Sequence, residues 1–80
     1  MAMTTGAMDR AAWQEHLAEA ERHVIEAEKR VAQQREIVAE LERDGKRTTA
    51  ARGRLAAFEE LLAMHLEECQ RLRRVLDASE

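Results

Sequence analysis

His65 and Cys69 are the residues of this 80-residue chain whose types and spacing best suit a metal ion. They stand four positions apart, which places them on one face of a helix, and an imidazole with a thiolate can supply two ligands to zinc. Glu68 lies beside them, and a dimer would bring two such pairs together. The alternative is structural, with Cys69 as a small buried hydrophobe and His65 as a polar residue that sets register. Because the chain has one Cys and no Cys-x-x-Cys motif, we expect the structural role and no metal.

His16 and His23 lie two helical turns apart with Glu19 between them, a second arrangement that suits a surface metal ion. Solvated surface histidines are the commoner case, and we expect that role here. The Glu-x-x-His motif of di-iron bundles and the His-Glu-x-x-His motif of zinc proteases are absent. No Ser or Cys has a recognisable base and orienting partner, and the chain has no Gly-rich phosphate loop. We therefore expect no enzymatic activity and no cofactor.

A basic cluster lies at the centre of the chain, where residues 43–54 hold five basic side chains against Asp44. The five, which we call the basic tip, are Arg43, Lys46, Arg47, Arg52 and Arg54. Such a cluster can contact RNA, DNA or an acidic protein, or it can simply be solvated charge near a helix end. No aromatic residue interleaves it for base stacking, and the whole chain has a formal charge of −3. Nucleic acid is therefore the alternative and not the expected partner.

Helices must position all of these residues, because the chain has no Pro, three Gly and few aromatic or β-branched residues. Asp9 is a candidate N-cap, and from there a first helix is predicted over about 9–43, after a flexible segment 1–8. Apolar or small residues recur in it at alternating spacings of four and three, the heptad period of helices packed at a shallow angle. They are Trp13, Leu17, Ala20, Val24, Ala27, Val31, Val38 and Leu41, with Gln34 as the polar interruption.

A turn is predicted over 44–48, because Gly45 can end a helix in the left-handed conformation and Thr48 or Thr49 can cap the next one. The second helix, over about 49–77, repeats the four-and-three spacing. Its stripe is Ala51, Leu55, Phe58, Leu62, His65, Cys69, Leu72 and Leu76. So short a linker makes the helices antiparallel neighbours. The prediction is one all-α domain over 9–80, an antiparallel coiled-coil hairpin in which Gln34 faces Phe58 and Leu62.

Apolar side chains outside this seam predict self-association. One seam between two helices buries only a strip, and a domain this small is marginally stable even with a rounder core. Two hairpins packed face to face would bury the remaining apolar residues as a four-helix bundle, and a twofold homodimer is the commonest closed assembly. The candidate interface residues are Ile25, Phe58, Leu61, Leu62, Leu66 and Val75. The alternative is a monomer with scattered surface apolar residues.

The turn and its flanking core positions resemble a group of short proteobacterial helical-hairpin proteins of unknown function. The residues that carry the resemblance are Leu41 to Gly45, Thr48, Leu55, Phe58, Glu59, Leu62 and His65. The resemblance implies a hairpin and a bacterial cytoplasm, and it transfers no functional residues. The absence of a secretory signal and of an apolar run long enough for a membrane span agrees with a cytoplasmic location. We therefore expect a non-enzymatic, self-associating interaction or scaffold module with an unidentified protein partner.

Overall fold

The chain folds as a hairpin of two long antiparallel α-helices. A computed structural model describes the backbone of residues 5–78 and the side chains of residues 10–78. Helix α1 spans Thr5–Arg43 and helix α2 spans Thr49–Ala78, and the two pack together into a rod of 65 × 17 × 13 Å. The described part contains no strand. The predicted all-α hairpin is therefore confirmed.

The start of α1 differs from the prediction. The helix begins at Thr5, one turn before Asp9, so Asp9 lies within the helix and is not its N-cap. The predicted flexible segment 1–8 falls partly on residues 1–4, which lie outside the described residues. Nothing in the intervening Gly-Ala-Met stretch breaks a helix strongly, and one isolated Gly costs only about 1 kcal/mol relative to Ala. The end of α1 at Arg43 agrees with the predicted boundary.

The loop closes α1 with the hydrogen bonds of a Schellman motif. The amide of Lys46 donates to the carbonyl oxygen of Leu41 at 2.8 Å, and the amide of Gly45 donates to that of Glu42 at 3.1 Å. This geometry requires a left-handed residue, and Gly45 has a φ of 67°. The carbonyl oxygen of Thr48 then accepts the first bond of α2, from the amide of Arg52, so Thr48 occupies the N-cap position.

The seam between the helices follows the predicted stripes. Every buried side chain in the described part belongs to them: Ala20, Ala27, Val31, Gln34, Val38, Cys69, Leu72 and Leu76. Ala20, Cys69 and Leu72 form a cluster near the open end of the hairpin, and Trp13, Leu17 and Val24 pack against it. Several seam residues are small, and Leu72 is the largest fully buried side chain in the described part. The hydrophobic core is therefore thin.

Gln34 is buried as predicted, and its side-chain amide has a hydrogen-bond partner that the prediction did not name. The side-chain amide reaches the backbone carbonyl oxygen of Ala51, about two turns nearer the loop than Phe58. Neither described helix is long and apolar enough to cross a membrane.

Candidate functional site

Three ion pairs between the helices lie along one side of the seam. In heptad notation the seam residues occupy positions a and d. Position e, which directly follows d, flanks the seam on one side, and position g, which directly precedes a, flanks it on the other. At e positions Arg73 contacts Glu21 at 3.0 Å and Arg35 contacts Glu59 at 3.3 Å. A third pair joins Arg52 to Glu42 near the loop. The three pairs lie two heptads and one heptad apart along α1, and we call this flank the ion-pair side.

The opposite flank brings two histidines together. His23, at a g position of α1, and His65, in the seam of α2, have ring centroids 5.1 Å apart and ring planes inclined by 47°. The two rings line one shallow groove together with Glu26, Arg30 and Leu61. We call this flank the histidine side. The contact was not among the predicted ones, although the seam register places His65 level with Val24, the neighbour of His23.

His16 lies one heptad before His23 and belongs to the same flank. Its ring meets the indole of Trp13 edge to face, with centroids 5.7 Å apart. His16 and His23 line a second groove that also includes Glu19 and Glu68. His16, Glu19 and His23, the predicted surface arrangement, therefore line that groove from α1 alone. Among the described residues, no three metal-ligating side chains converge on one point.

Glu68 carries the perturbed carboxyl of this flank. Arg71, one turn along α2, donates two hydrogen bonds to it at 2.7 and 3.1 Å. These bonds lower the pKa of the Glu68 carboxyl below its ordinary value, the charge of Arg71 and the nearby His16 lower it further, and desolvation partly opposes them. The same pair raises the pKa of Arg71. The carboxylate form of Glu68 is therefore favoured beside the histidines.

Cys69 and His65 line different grooves of the hairpin. Cys69 is buried in the seam at 2% exposure and lines a groove on the ion-pair side with Val24, Ile25 and Leu66. His65 lines the groove on the histidine side. Spacing by four residues places both on the seam face of α2, but successive seam positions lean to alternate flanks. The ring contact of His65 across the helices is with His23.

The basic tip surrounds the loop, and all five of its side chains are exposed. Arg52 is engaged, because it pairs with Glu42 and its Nε donates to the hydroxyl of Thr48 at 3.0 Å. Arg47 and Arg54 border a groove that contains Ile37. Neither aromatic residue lies at the tip: Trp13 packs near the open end and Phe58 is half-buried in the seam. The tip therefore lacks a stacking platform.

The predicted interface residues divide into two groups. Phe58 and Leu62 are half-buried in the hairpin's own seam, and Val75 is half-buried beside it. The other three are exposed, on opposite flanks: Ile25 and Leu66 lie on the ion-pair side and Leu61 lies on the histidine side. Ile37 and Met64 are the remaining exposed large apolar side chains of the described residues.

Comparison with protein-family models, curated proteins and solved structures finds no significant match to this chain.

Proposed function

We propose that this protein is a non-enzymatic helical hairpin that associates with a second copy of itself and serves as a cytoplasmic interaction or scaffold module. One observation carries the proposal: large apolar side chains remain exposed while the seam core is thin. Ile25 is 52% exposed and Leu66 is 42% exposed, whereas the buried core relies on Ala20, Ala27 and Cys69 for much of its length. Burying the exposed side chains in a second copy stabilises both hairpins.

The ion-pair side is the face that we assign to this contact. Ile25 and Leu66 line one groove there with the half-buried Val24 and the buried Cys69, and we call the apolar lining of this groove the patch. The pair formed by Glu21 and Arg73 borders the patch. An apolar centre with a charged rim is the usual anatomy of a protein interface.

Small residues on the same flank permit close approach of a second hairpin. Ala18 and Ala32 lie one heptad before and one heptad after Ile25 along α1, and Ala39 lies one heptad beyond Ala32. On α2, Ala63 lies one turn from Leu66. Alanine side chains let helices approach closely, and a twofold axis makes one patch serve both copies. The result of such packing is the four-helix bundle expected from the sequence.

Sedimentation equilibrium across about 1–100 µM tests the proposal, since the mass of a twofold dimer depends on concentration. The wild type is expected to give twice the mass of one chain in the upper part of this range. The double variant Ile25→Glu with Leu66→Glu places charges in the patch and is expected to remain a monomer with an intact helical spectrum.

Met64→Glu is the matched control. Met64 is 62% exposed and lies one turn from Leu61, away from the ion-pair side. This variant also replaces an exposed apolar side chain with a charge, yet it should keep the dimer. A wild type that stays at the mass of one chain would contradict self-association. An unchanged double variant beside a monomeric Met64→Glu would instead reject the assigned face.

A further inference from the structure

The rings of His23 and His65 lie at a separation that a shared metal ion can bridge. Two imidazoles bound to one tetrahedral zinc through Zn–N bonds of about 2.1 Å place their ring centroids about 5.2 Å apart. The observed centroid separation is 5.1 Å. The ring planes are inclined by 47°. Aromatic pairs without a metal also adopt tilted geometries with centroids about 4.5–7 Å apart, so the contact permits a shared ion and does not require one.

The surroundings of the two rings favour a cation. Glu26 and Arg30 line the groove of the His23–His65 pair, and Glu19 and Glu68 line the adjoining groove. The guanidinium of Arg71 is held by Glu68 through its two hydrogen bonds. The pair of Glu68 and Arg71 carries no net charge, so along the two grooves the carboxylates of Glu19 and Glu26 outnumber the one remaining guanidinium, that of Arg30.

We propose that His23 and His65 together bind one divalent transition-metal ion of the class that prefers imidazole, namely zinc, copper or nickel. No three metal-ligating side chains converge among the described residues, so the protein supplies these two nitrogens and water completes the coordination. The ion joins α1 to α2, because the two ligands come from different helices. This site is independent of the proposed self-association, whose contact lies on the other flank.

The site differs from both metal arrangements that the sequence suggests. The His65 and Cys69 pair is split between the two flanks, and the pair of His16 and His23 lies along a single helix. A ligand pair across two helices forms only when the hairpin forms. Metal binding by His23 and His65 is therefore coupled to folding, and the ion stabilises the native state over the unfolded chain.

Zinc titrations followed by calorimetry and by thermal melting test the proposal on the untagged chain. The wild type is expected to bind one zinc per chain. Its Tm should rise by about 4–8 °C once free zinc exceeds the dissociation constant about fivefold. His23→Gln and His65→Gln should each weaken zinc binding at least tenfold and abolish the rise in Tm. Acidification from about pH 7.5 to 5.5 should weaken wild-type binding, because protons compete with the metal for imidazole nitrogen.

His16→Gln is the matched control, since it removes a histidine from the same flank and leaves the proposed ligands in place. It should bind zinc as the wild type does. A second measurement covers variants that fold poorly: NMR spectra of the wild-type histidine rings should show zinc perturbing His23 and His65 more than His16. An absent rise in wild-type Tm, equal losses in all three variants, or a doubling of mass that requires zinc would each overturn the single-chain site.

Discussion

The side-chain amide of Gln34 donates a hydrogen bond to the backbone carbonyl oxygen of Ala51 at 3.0 Å, and so joins α1 to the first turns of α2. Gln34 is only 5% exposed and is the one polar residue among the buried side chains of the described part. No buried side-chain nitrogen or oxygen lacks a partner in that part of the chain. The bond therefore satisfies a polar group inside an apolar seam and marks the helix register near the loop.

Replacing Gln34 with leucine should raise the Tm. Leucine has a similar size and gains apolar burial, while the carbonyl oxygen of Ala51 keeps its bond within α2, so no buried polar group is left unpaired. The expected gain in the free energy of unfolding is about 1 kcal/mol by urea titration. Because a buried polar group also specifies register, the variant should show a less uniform mass by sedimentation.

Gln33→Leu is the control for this change, because Gln33 is exposed and its replacement buries nothing. It should shift the free energy of unfolding by less than about 0.5 kcal/mol. An unchanged or lower Tm for Gln34→Leu, with unchanged mass, would show that the hydrogen bond to Ala51 stabilises the seam by more than leucine burial does.

The seam and the loop could be predicted from the sequence because each depends on short-range patterns. Alternating four-and-three spacing identified every buried residue of the described part, and Gly45 with Thr48 marked the turn. The start of α1 could not be placed, since no strong breaker separates Thr5 from Asp9 and a helix end costs little to extend.

The contact between His23 and His65 could be predicted only in part from the sequence. The heptad register places the two residues at one level of the seam, and counting along both stripes would have shown it. His65 and Ala27 line the same groove on the histidine side, and the small Ala27 side chain leaves room there for the ring. Spacing along one helix pointed to Cys69 instead, because a sequence pattern shows which face a residue occupies but not which flank its side chain enters.

Leu72→Ala should destabilise the hairpin more than any truncation of an exposed apolar residue. Leu72 is 1% exposed and packs with Ala20 and Cys69, two small residues that cannot expand to fill the space. The expected loss is about 2–4 kcal/mol in the free energy of unfolding. Met64→Ala, at an exposed position of the same helix, should lose less than about 1 kcal/mol. Equal losses in urea titrations of the two variants would contradict a core centred on Leu72.

Arg71→Gln should raise the pKa of Glu68, since the hydrogen bonds from Arg71 are the main cause of its lowered value. A carboxyl whose pKa is lowered by folding stabilises the native state above its unfolded pKa, and that stabilisation is lost as pH falls through the folded pKa. The wild type therefore loses this contribution on acidification, and the variant should show a shallower loss below about pH 5.

A carbon-detected NMR titration of the Glu68 carboxyl measures this shift directly. Arg74→Gln is the control, because it removes a neighbouring guanidinium that does not hydrogen-bond Glu68 and should leave the titration nearly unchanged. Salt at about 1 M should raise the wild-type pKa toward the variant's, since both side chains are about half exposed and their attraction is screened. Identical titrations of wild type and Arg71→Gln would show that the pair does not persist in solution.

Alanine substitutions at Gly45 and Gly53 should change stability in opposite directions. Neither position has a neighbouring atom within 4 Å of an added methyl group, so backbone conformation alone decides the outcome. Gly45 has a φ of 67°, where an alanine costs about 1–2 kcal/mol, and the Schellman hydrogen bonds of the loop hold it there. Gly53 lies inside α2, where alanine should stabilise the helix by about 0.8–1 kcal/mol. Urea titrations in which Gly45→Ala is neutral or stabilising would contradict a left-handed residue at the end of α1, and a destabilised Gly53→Ala would contradict the expected gain in helix propensity.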